Sequence, residues 1–483
     1  CMVDTGKGIV QVVCGAPNAR TGMKGVFAPA GSHIPGTGLD LKKGTIRGEE
    51  SHGMLCSARE MGLGDDHDGI IELPGDAPVG APFAEVMGLD DPVIDIAITP
   101  DRADCLGVAG IARDLAAAGI GRLKPFDRSP VAGTFESPIR WRIDIPGDPA
   151  ACPYVAGRYF RGVANGPSPQ WLKDRLTAIG LRPISALVDI TNFVTFDLGR
   201  PLHVFDAKKL AGDLTMRFAK PGEKVLALDG FEYELAGDMT VIADAKGVQG
   251  IGGVMGGEES GCTDATTEVF LEVALFDPNR TARSGRALGI ESDARYRFER
   301  GLDPQSAVWG AEVAARLIGE ICGGEASEVV GAGRVPAWSR RIEFRPERSA
   351  GLGGATVQEQ DALSILRALG FTVTPKGERI EIDVPSWRHD VEGEADIVEE
   401  VVRVFGYDRV PAVSLPRLSA MPEAAVTPAQ GRAQRAKRAL ASRGMTEAVT
   451  WSFMPEAAAR PFGGGDLKLA NPISAHLDVM HPS

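Results

Sequence analysis

No CxxC pair occurs in this sequence, and its seven cysteines are scattered from Cys1 to Cys322. An odd, unpaired set of this kind reads as reduced thiols of a cytosolic chain, not as a disulfide framework or a zinc site. No run of 18 apolar residues and no signal peptide is present, so a membrane span and a secretory route are not expected, and a cytoplasmic chain is. No P-loop pattern GxxxxGK[ST] occurs. The glycine-rich stretch GIGGVMGG, Gly250 to Gly257, fails the GxGxxG pattern because Met255 takes the last glycine position. It reads either as a plain turn or as backbone that comes close to a ligand. An excess of basic charge is also missing. With 52 Lys and Arg against 65 Asp and Glu, the net charge is -13. That argues against a surface coated for nucleic acid but leaves room for a local patch. Residues 1–50 carry six basic against four acidic side chains, so this end is locally basic.

What the chain has is length and ordinary core material. Its 483 residues predict several domains, at roughly 100–200 residues each, and 43% hydrophobic content supports a core in each. The first 75 or so residues, with short apolar runs such as GIVQVVCGAP and MKGVFAPAG, read as all-β. VIDIAITPDRADCLGVAGIARDLAAAG predicts a strand, a turn and a helix from about Cys105, with Asp104 as a possible cap. Residues 150–330 mix strands and helices. KVLALDGFEYEL reads as a hairpin turning at Asp229-Gly230, TEVFLEVALFDP as an apolar strand, and SAVWGAEVAARLIGEICGG as a helix stopped by glycines. A compact α+β unit of about 75 residues follows GAGRVPAWSRR. The proline-rich VPAVSLPRLSAMP then leads to a basic helix near 428–442. The opening at Cys1 and the close at VMHPS suggest that both termini are truncated.

Four stretches could carry chemistry. GIESDARYRFERGLDP, Gly289 to Pro304, alternates charged and aromatic residues from Arg295 on. Period two predicts a strand with Tyr296 and Phe298 on one side and Arg295, Arg297 and Glu299 on the other. A salt-bridged strand edge is the bland alternative. Glu272 stands inside VFLEVALF; it either faces out, pairs with an arginine such as Arg280 or Arg283, or has a role that needs a buried carboxylate. His203, in GRPLHVFDAKKL, is either a satisfied core histidine or a functional one. In SWRHDVEGEADIVEEVVRVFGYDRVP, Asp396, Glu399 and Glu400 fall at i, i+3 and i+4 on one helix face, with Asp390 just ahead. Hard oxygen donors without His or Cys suit Mg²⁺, and a solvated acidic face near a helix N-terminus is the alternative.

In chain order, these stretches resemble the β subunits of bacterial phenylalanyl-tRNA synthetases. The likeness runs through VVCGAPNARTGMK, IRGEESHGMLCSAREMGLGDDHDGI, DIAITPDRADCLGVAGIARDLAA, RPISALVDITNFVTFDLGRPLHVFD, SDARYRFERGLDP, SWRHDVEGEADIVEEVVRVFGYDRVP and LANPISAHLDVMHPS. It implies a multidomain α+β fold. Residues 1–86 would be a tRNA-binding OB-type β-barrel lacking its first strands, and 87–150 a B1-like connecting segment. Residues 151–330 would be a mixed α/β B3/B4 editing-like domain and 339–414 a B5 domain. Residues 427–483 would begin a class II synthetase-like module, cut short.

The resemblance also implies roles. Glu272 would accept the hydroxyl of a misattached tyrosine, and His203 would sit near the terminal adenosine. Asn192 would be a polar pocket residue, Gly256 and Gly257 would line the pocket, and Ser292 and Ala294 would gate it. Tyr296 and Phe298 would then form the wall beneath it. Asp390, Asp396, Glu399 and Glu400 would hold Mg²⁺, and Lys24, Lys42, Lys43 and Arg47 would meet tRNA. The implied partners are an α subunit, in a tetramer of two α and two β subunits, and tRNA(Phe). ATP and phenylalanine would be bound mainly by α. The implied activity is support of ATP-dependent phenylalanine attachment together with hydrolysis of Tyr-tRNA(Phe). The rival reading is a non-catalytic tRNA-binding assembly subunit with an inert pocket. Convergence of Glu272, His203 and Ser292 on one cavity separates the two. A stand-alone tRNA-binding protein is a third reading, disfavoured by the net charge.

Overall fold

The run EVFLEVAL forms the strand Glu268–Leu275, whose residues are buried except at Glu268. Its odd residues, Val269, Leu271, Val273 and Leu275, belong to one apolar core, and Phe270 and Ala274 to another. A strand covered on both faces needs no polar alternation, which is why the sequence reads as a nearly continuous apolar run. In this computed structural model, which describes residues 1–90, 92–377, 379–416 and 424–482, the chain divides into Cys1–Val410 and Pro411–Ser483.

Within the first unit, Glu268–Leu275 lies between His203–Asp206 and Tyr154–Arg161, and is antiparallel to both. The helices Ala186–Leu198 and Ser306–Cys322 cover the odd-residue face through Leu187, Ile190, Ala311 and Ile318. A second five-stranded sheet runs Trp141–Asp144, Leu214–Phe218, Thr240–Ala243, Val248–Ile251, Met255–Gly256. Its core shares Trp141, Phe205, Phe270, Phe276 and Phe298 with the even-residue face. The hairpin turns at Asp229-Gly230 as read from sequence, with Gly230 at φ 81°. Left-handed backbone of that kind favours glycine.

Further along, Arg341–Phe344, Arg379–Asp383 and Thr372–Lys376 make an antiparallel sheet. The helices Glu359–Ala368 and Glu394–Phe405 pack on it through Leu366, Ile397 and Val401. At the N-terminal end the strands pair two by two, and among the described residues no closed ladder links them into a barrel. The fold is therefore multidomain α+β. In the second unit, Thr427 caps the helix Pro428–Ala441, and Phe453–Met454 pairs with Val479–Met480. Residues 417–422 of the proline-rich stretch lie outside the described residues. Among the described residues no helix is long and apolar enough to cross a membrane.

Three local expectations are corrected. Residues 92–99 form no strand, and Val93 and Ile94 are exposed. Alternating apolar residues make a strand only where a neighbour can take their backbone groups. The following helix, Val108–Ala117, is capped by Gly107 without a side-chain bond. Asp104 bonds Arg102 instead. Most consequentially, Asp293–Phe298 is a helix, not a strand. Ser292 accepts a hydrogen bond from the Arg295 N–H and starts it, as Ser does at a helix N-cap. Ala294 and Phe298, at i and i+4, then share the inward side, while Tyr296 is 42% exposed.

Candidate active site

Glu272 and His203 are direct cross-strand partners, so their side chains leave the sheet on the same face. Both line a cavity of about 80 Å³ together with Phe205, Met255, Gly256 and Ala294. At roughly 10–15 Å³ of such space per water, this is room for about one aromatic ring.

The electrostatics of the two groups follow from burial. Burial raises the Glu272 carboxyl to about 7, against the opposing pull of the Arg200 guanidinium. Arg200 is itself fully buried and donates to the Pro201 and Ala274 carbonyls. Among the described residues the Glu272 carboxyl has no hydrogen-bond or ion-pair partner; Arg280, proposed from sequence, pairs with Asp148 instead. Burial pushes His203 down to about 4, so its imidazole is neutral at physiological pH, and its Nε2 is buried without a partner. Both residues line one small apolar space, and no partner for either side chain is found among the described residues. Such groups are costly unless a ligand satisfies them.

The walls explain the glycines. A Cβ on Gly256 would stand 2.5 Å from His203 Cε1. Only glycine lets that strand lie against the imidazole. Gly257 is one step removed: its N–H donates to Gln249, whose carbonyl oxygen a Cβ would meet at 2.7 Å. It shapes the turn but does not line the cavity. Of the three residues expected to converge, Glu272 and His203 line the cavity and Ser292 does not; it stands beside the wall, donating its hydroxyl to the carbonyl of Val254, a lining residue, at 2.5 Å. Ala294 and Phe298 reach the cavity from the short helix. That helix is tied down by its charges. Arg297 is buried, donates to the Leu106 carbonyl and to Asp293, and stacks on Phe196. Arg295 binds Glu299 and the Ile290 carbonyl.

Asn192 is not brought to this cavity. On its helix Ile190 and Val194 take the buried side, and Asn192 falls roughly opposite them. Sequence reasoning missed Phe205 and Phe276 in the lining, and Arg200 behind Glu272. Phe205 was findable, since it lies two residues from His203 on the same strand face.

The four carboxylates read as a magnesium set do not gather. Among the described residues, the acidic and thiol side chains close enough to hold an ion are Asp104, Cys105 and Asp114. Arg102 already bonds all three of those side chains. Asp390 takes a bidentate bond from Arg388, which also donates to Glu400 at 2.5 Å. Glu400 accepts twice more from Arg403. Burial alone would raise the Glu400 carboxyl, but the hydrogen bonds of Arg403 and Arg388 hold it down to about 2. Asp396 accepts from the backbone of Glu392 and Gly393 at the helix start, and Glu399 points to solvent. A guanidinium fills the place between Asp390 and Glu400, so these residues do not fit a resident ion. Helical spacing gave the shared face but not the arginine two residues before Asp390.

Of the basic residues at the N-terminal end, Lys42, Lys43 and Arg47 are exposed, and Lys24 is half-buried with its ammonium on the Ala77 carbonyl. Arg47 sits at φ 53° in a tight hairpin that presents its side chain outward.

Comparison with known proteins bears on the whole chain. Family models match in order: a putative tRNA binding domain over 1–82, a B3/4 domain over 151–323, a tRNA synthetase B5 domain over 342–407, and a phenylalanyl tRNA synthetase beta chain CLM domain over 413–483. The phenylalanine–tRNA ligase beta subunit of Rhodospirillum rubrum is 60% identical over 489 aligned residues, covering 100% of this chain and 61% of that protein. That of Paramagnetospirillum magneticum is 57% identical, with the same two shares. The chain thus spans about three fifths of the length of the curated relatives it matches. An N-terminal fragment of the phenylalanyl-tRNA synthetase beta-subunit from Pyrococcus horikoshii aligns with 64% of this chain and 86% of its own, at 16% identity and a TM-score of 0.35, too distant to place any side chain. By the order of these matches and the identity along its whole length, the chain belongs to the phenylalanine–tRNA ligase beta subunit family.

Proposed function

We propose that this chain gives the holoenzyme tRNA binding and a proofreading site that hydrolyses Tyr-tRNA(Phe). The observation that carries the reading is the pair of unpartnered groups, Glu272 and His203, facing one ring-sized cavity. Tyrosine and phenylalanine differ by a hydroxyl, which an apolar synthetic pocket rejects only weakly. A second site built around a buried acceptor selects the opposite way. The tyrosine hydroxyl satisfies Glu272, whereas phenylalanine leaves it buried and unpaired. Glu272, Gly256 and Ala294 would shape the pocket, with Ser292 and Gly257 holding its rim.

His203 is neutral at physiological pH, so it would orient the ribose or the attacking water through a hydrogen bond and not as a cation. Water attacks the ester carbonyl, the acyl–oxygen bond breaks, and tyrosine and tRNA leave. The tRNA's own ribose hydroxyl is the candidate activator, since among the described residues no Ser-His-Asp arrangement lines the cavity.

On the same reading, residues 1–86 serve as an OB-type tRNA-binding module with Lys42, Lys43 and Arg47 toward RNA, and Lys24 as its support. Residues 87–150 connect to the editing module, 151–330. Residues 339–414 form the B5 module, and 427–483 open a class II synthetase-like module. The partner would be an α subunit in a cytoplasmic α2β2 assembly that binds ATP and phenylalanine. Mg²⁺ would serve that ATP-dependent step in α, not the Asp390, Asp396, Glu399 and Glu400 set. The test is hydrolysis of Tyr-tRNA(Phe) by the holoenzyme carrying Gly256→Ala. Displacing the imidazole should cut the rate by about a hundredfold or more. An unchanged rate would leave a tRNA-binding assembly subunit with an inert pocket.

A further inference from the structure

A second, larger cavity of about 690 Å³ lies in the first unit and shares no lining residue with the site above. Its walls come from the helix Val108–Ala117, the loop 122–128, the start of the helix Ser306–Cys322, and Trp387. Cavities of this size hold molecules of roughly drug or cofactor dimensions.

The lining is basic in an acidic chain. Arg113, Arg122, Lys124, Arg128 and Arg175 face three carboxylates, one of which, Asp104, is spent on Arg102 and Arg113. It is also flat-walled. The Arg113 guanidinium stacks over Trp387 at 4.7 Å. Arg128 stacks over Phe126 at 4.3 Å and Trp309 at 4.9 Å. The indole Nε1 atoms of Trp309 and Trp387 are both buried with no acceptor. Those N–H groups are closed off from the cavity, so the two indoles offer it ring surface.

We propose that this cavity binds a nucleotide. Its guanidinium and ammonium donors call for an acceptor-rich anion such as phosphate. Its aromatic and guanidinium planes call for a flat ring. A nucleotide carries both. The source is either a free mononucleotide or an unstacked nucleotide of single-stranded RNA.

Photo-crosslinking tests this on the full-length subunit, with 8-azido-AMP as probe and peptide mapping as readout. Saturable label on peptides carrying residues 122–128 or 302–309, competed by AMP, supports a free nucleotide. Competition only by a short single-stranded oligoribonucleotide supports an RNA source. In either case Arg128→Ala and Trp309→Leu, the latter losing the ring on which Arg128 stacks, should weaken labelling by about tenfold. Both should leave the circular dichroism unchanged. Glu272→Ala should leave this label intact, which separates it from the editing pocket. No saturable label in those peptides, or label that persists in both variants, overturns the proposal.

Discussion

Arg388→Met should loosen the helix Glu394–Phe405 by about 3 kcal/mol at pH 7. Arg388 is 3% exposed and bonds both Asp390 and Glu400, which is 4% exposed. Removing it leaves a buried carboxylate, Glu400, and a half-buried one, Asp390, short of a cation. The magnitude can be worked from Glu400, whose carboxyl moves from 4.5 to about 2 on folding. At about 1.4 kcal/mol per pKa unit, that is about 3 kcal/mol of stability at neutral pH, shared between Arg388 and Arg403. Loss of both Asp390 bonds restores the total to the same size. The folded value is depressed, so this stabilisation is full above 4.5 and is lost as pH falls toward 2. The assay is hydrogen exchange of the helix amides. The variant's protection should fall by about a hundredfold at pH 7, and its deficit should shrink below pH 4.5. A loss under about 0.5 kcal/mol at pH 7 would refute the idea that this guanidinium is the cation serving these acids.

Glu272→Gln should stabilise the chain at pH 8 by about 3 kcal/mol, because the wild-type carboxyl, raised from 4.5 to about 7, loses folding stability as pH climbs through that window. Denaturant midpoints at pH 5 and pH 8 check it: the advantage of the variant over the wild type should be small at pH 5 and large at pH 8, the rise that His203 contributes over that range being common to both. Ala294→Phe should fill the cavity and abolish Tyr-tRNA(Phe) hydrolysis while lowering stability by about 1–3 kcal/mol, read from parallel activity and unfolding curves. Chelation of divalent ions should leave exchange protection of Glu394–Phe405 unchanged, because arginines already face Asp390 and Glu400. A drop on chelation would restore the metal reading.

Much of the site was legible in the sequence for physical reasons. A glutamate inside VFLEVALF could have faced out or been buried; the strand is covered on both faces, and Glu272 is buried. The histidine in GRPLHVFD proved to be its cross-strand partner, a pairing that chain order alone does not fix. The stretch Arg295 to Glu299 misled because five alternating residues fit a strand and a helix turn equally well. The deciding signals were local: Gly289 in the left-handed conformation ending one helix, and Ser292 capping the next. The acidic helix face was visible, but its neutralising arginines come from the loop before it and from its own last turn. Periodicity within one helix carries no information about such partners. Asn192, named from the resemblance alone, does not line this cavity, since facing is set by what the helix packs against.

The most direct test is deacylation by the full-length complex containing this chain. Tyr-tRNA(Phe) and Phe-tRNA(Phe) are followed side by side, with wild type and with Glu272→Ala. The account predicts rapid loss of the tyrosyl ester alone, abolished by the substitution. No tyrosine-selective hydrolysis in the wild type, or selectivity that survives without Glu272, would contradict it.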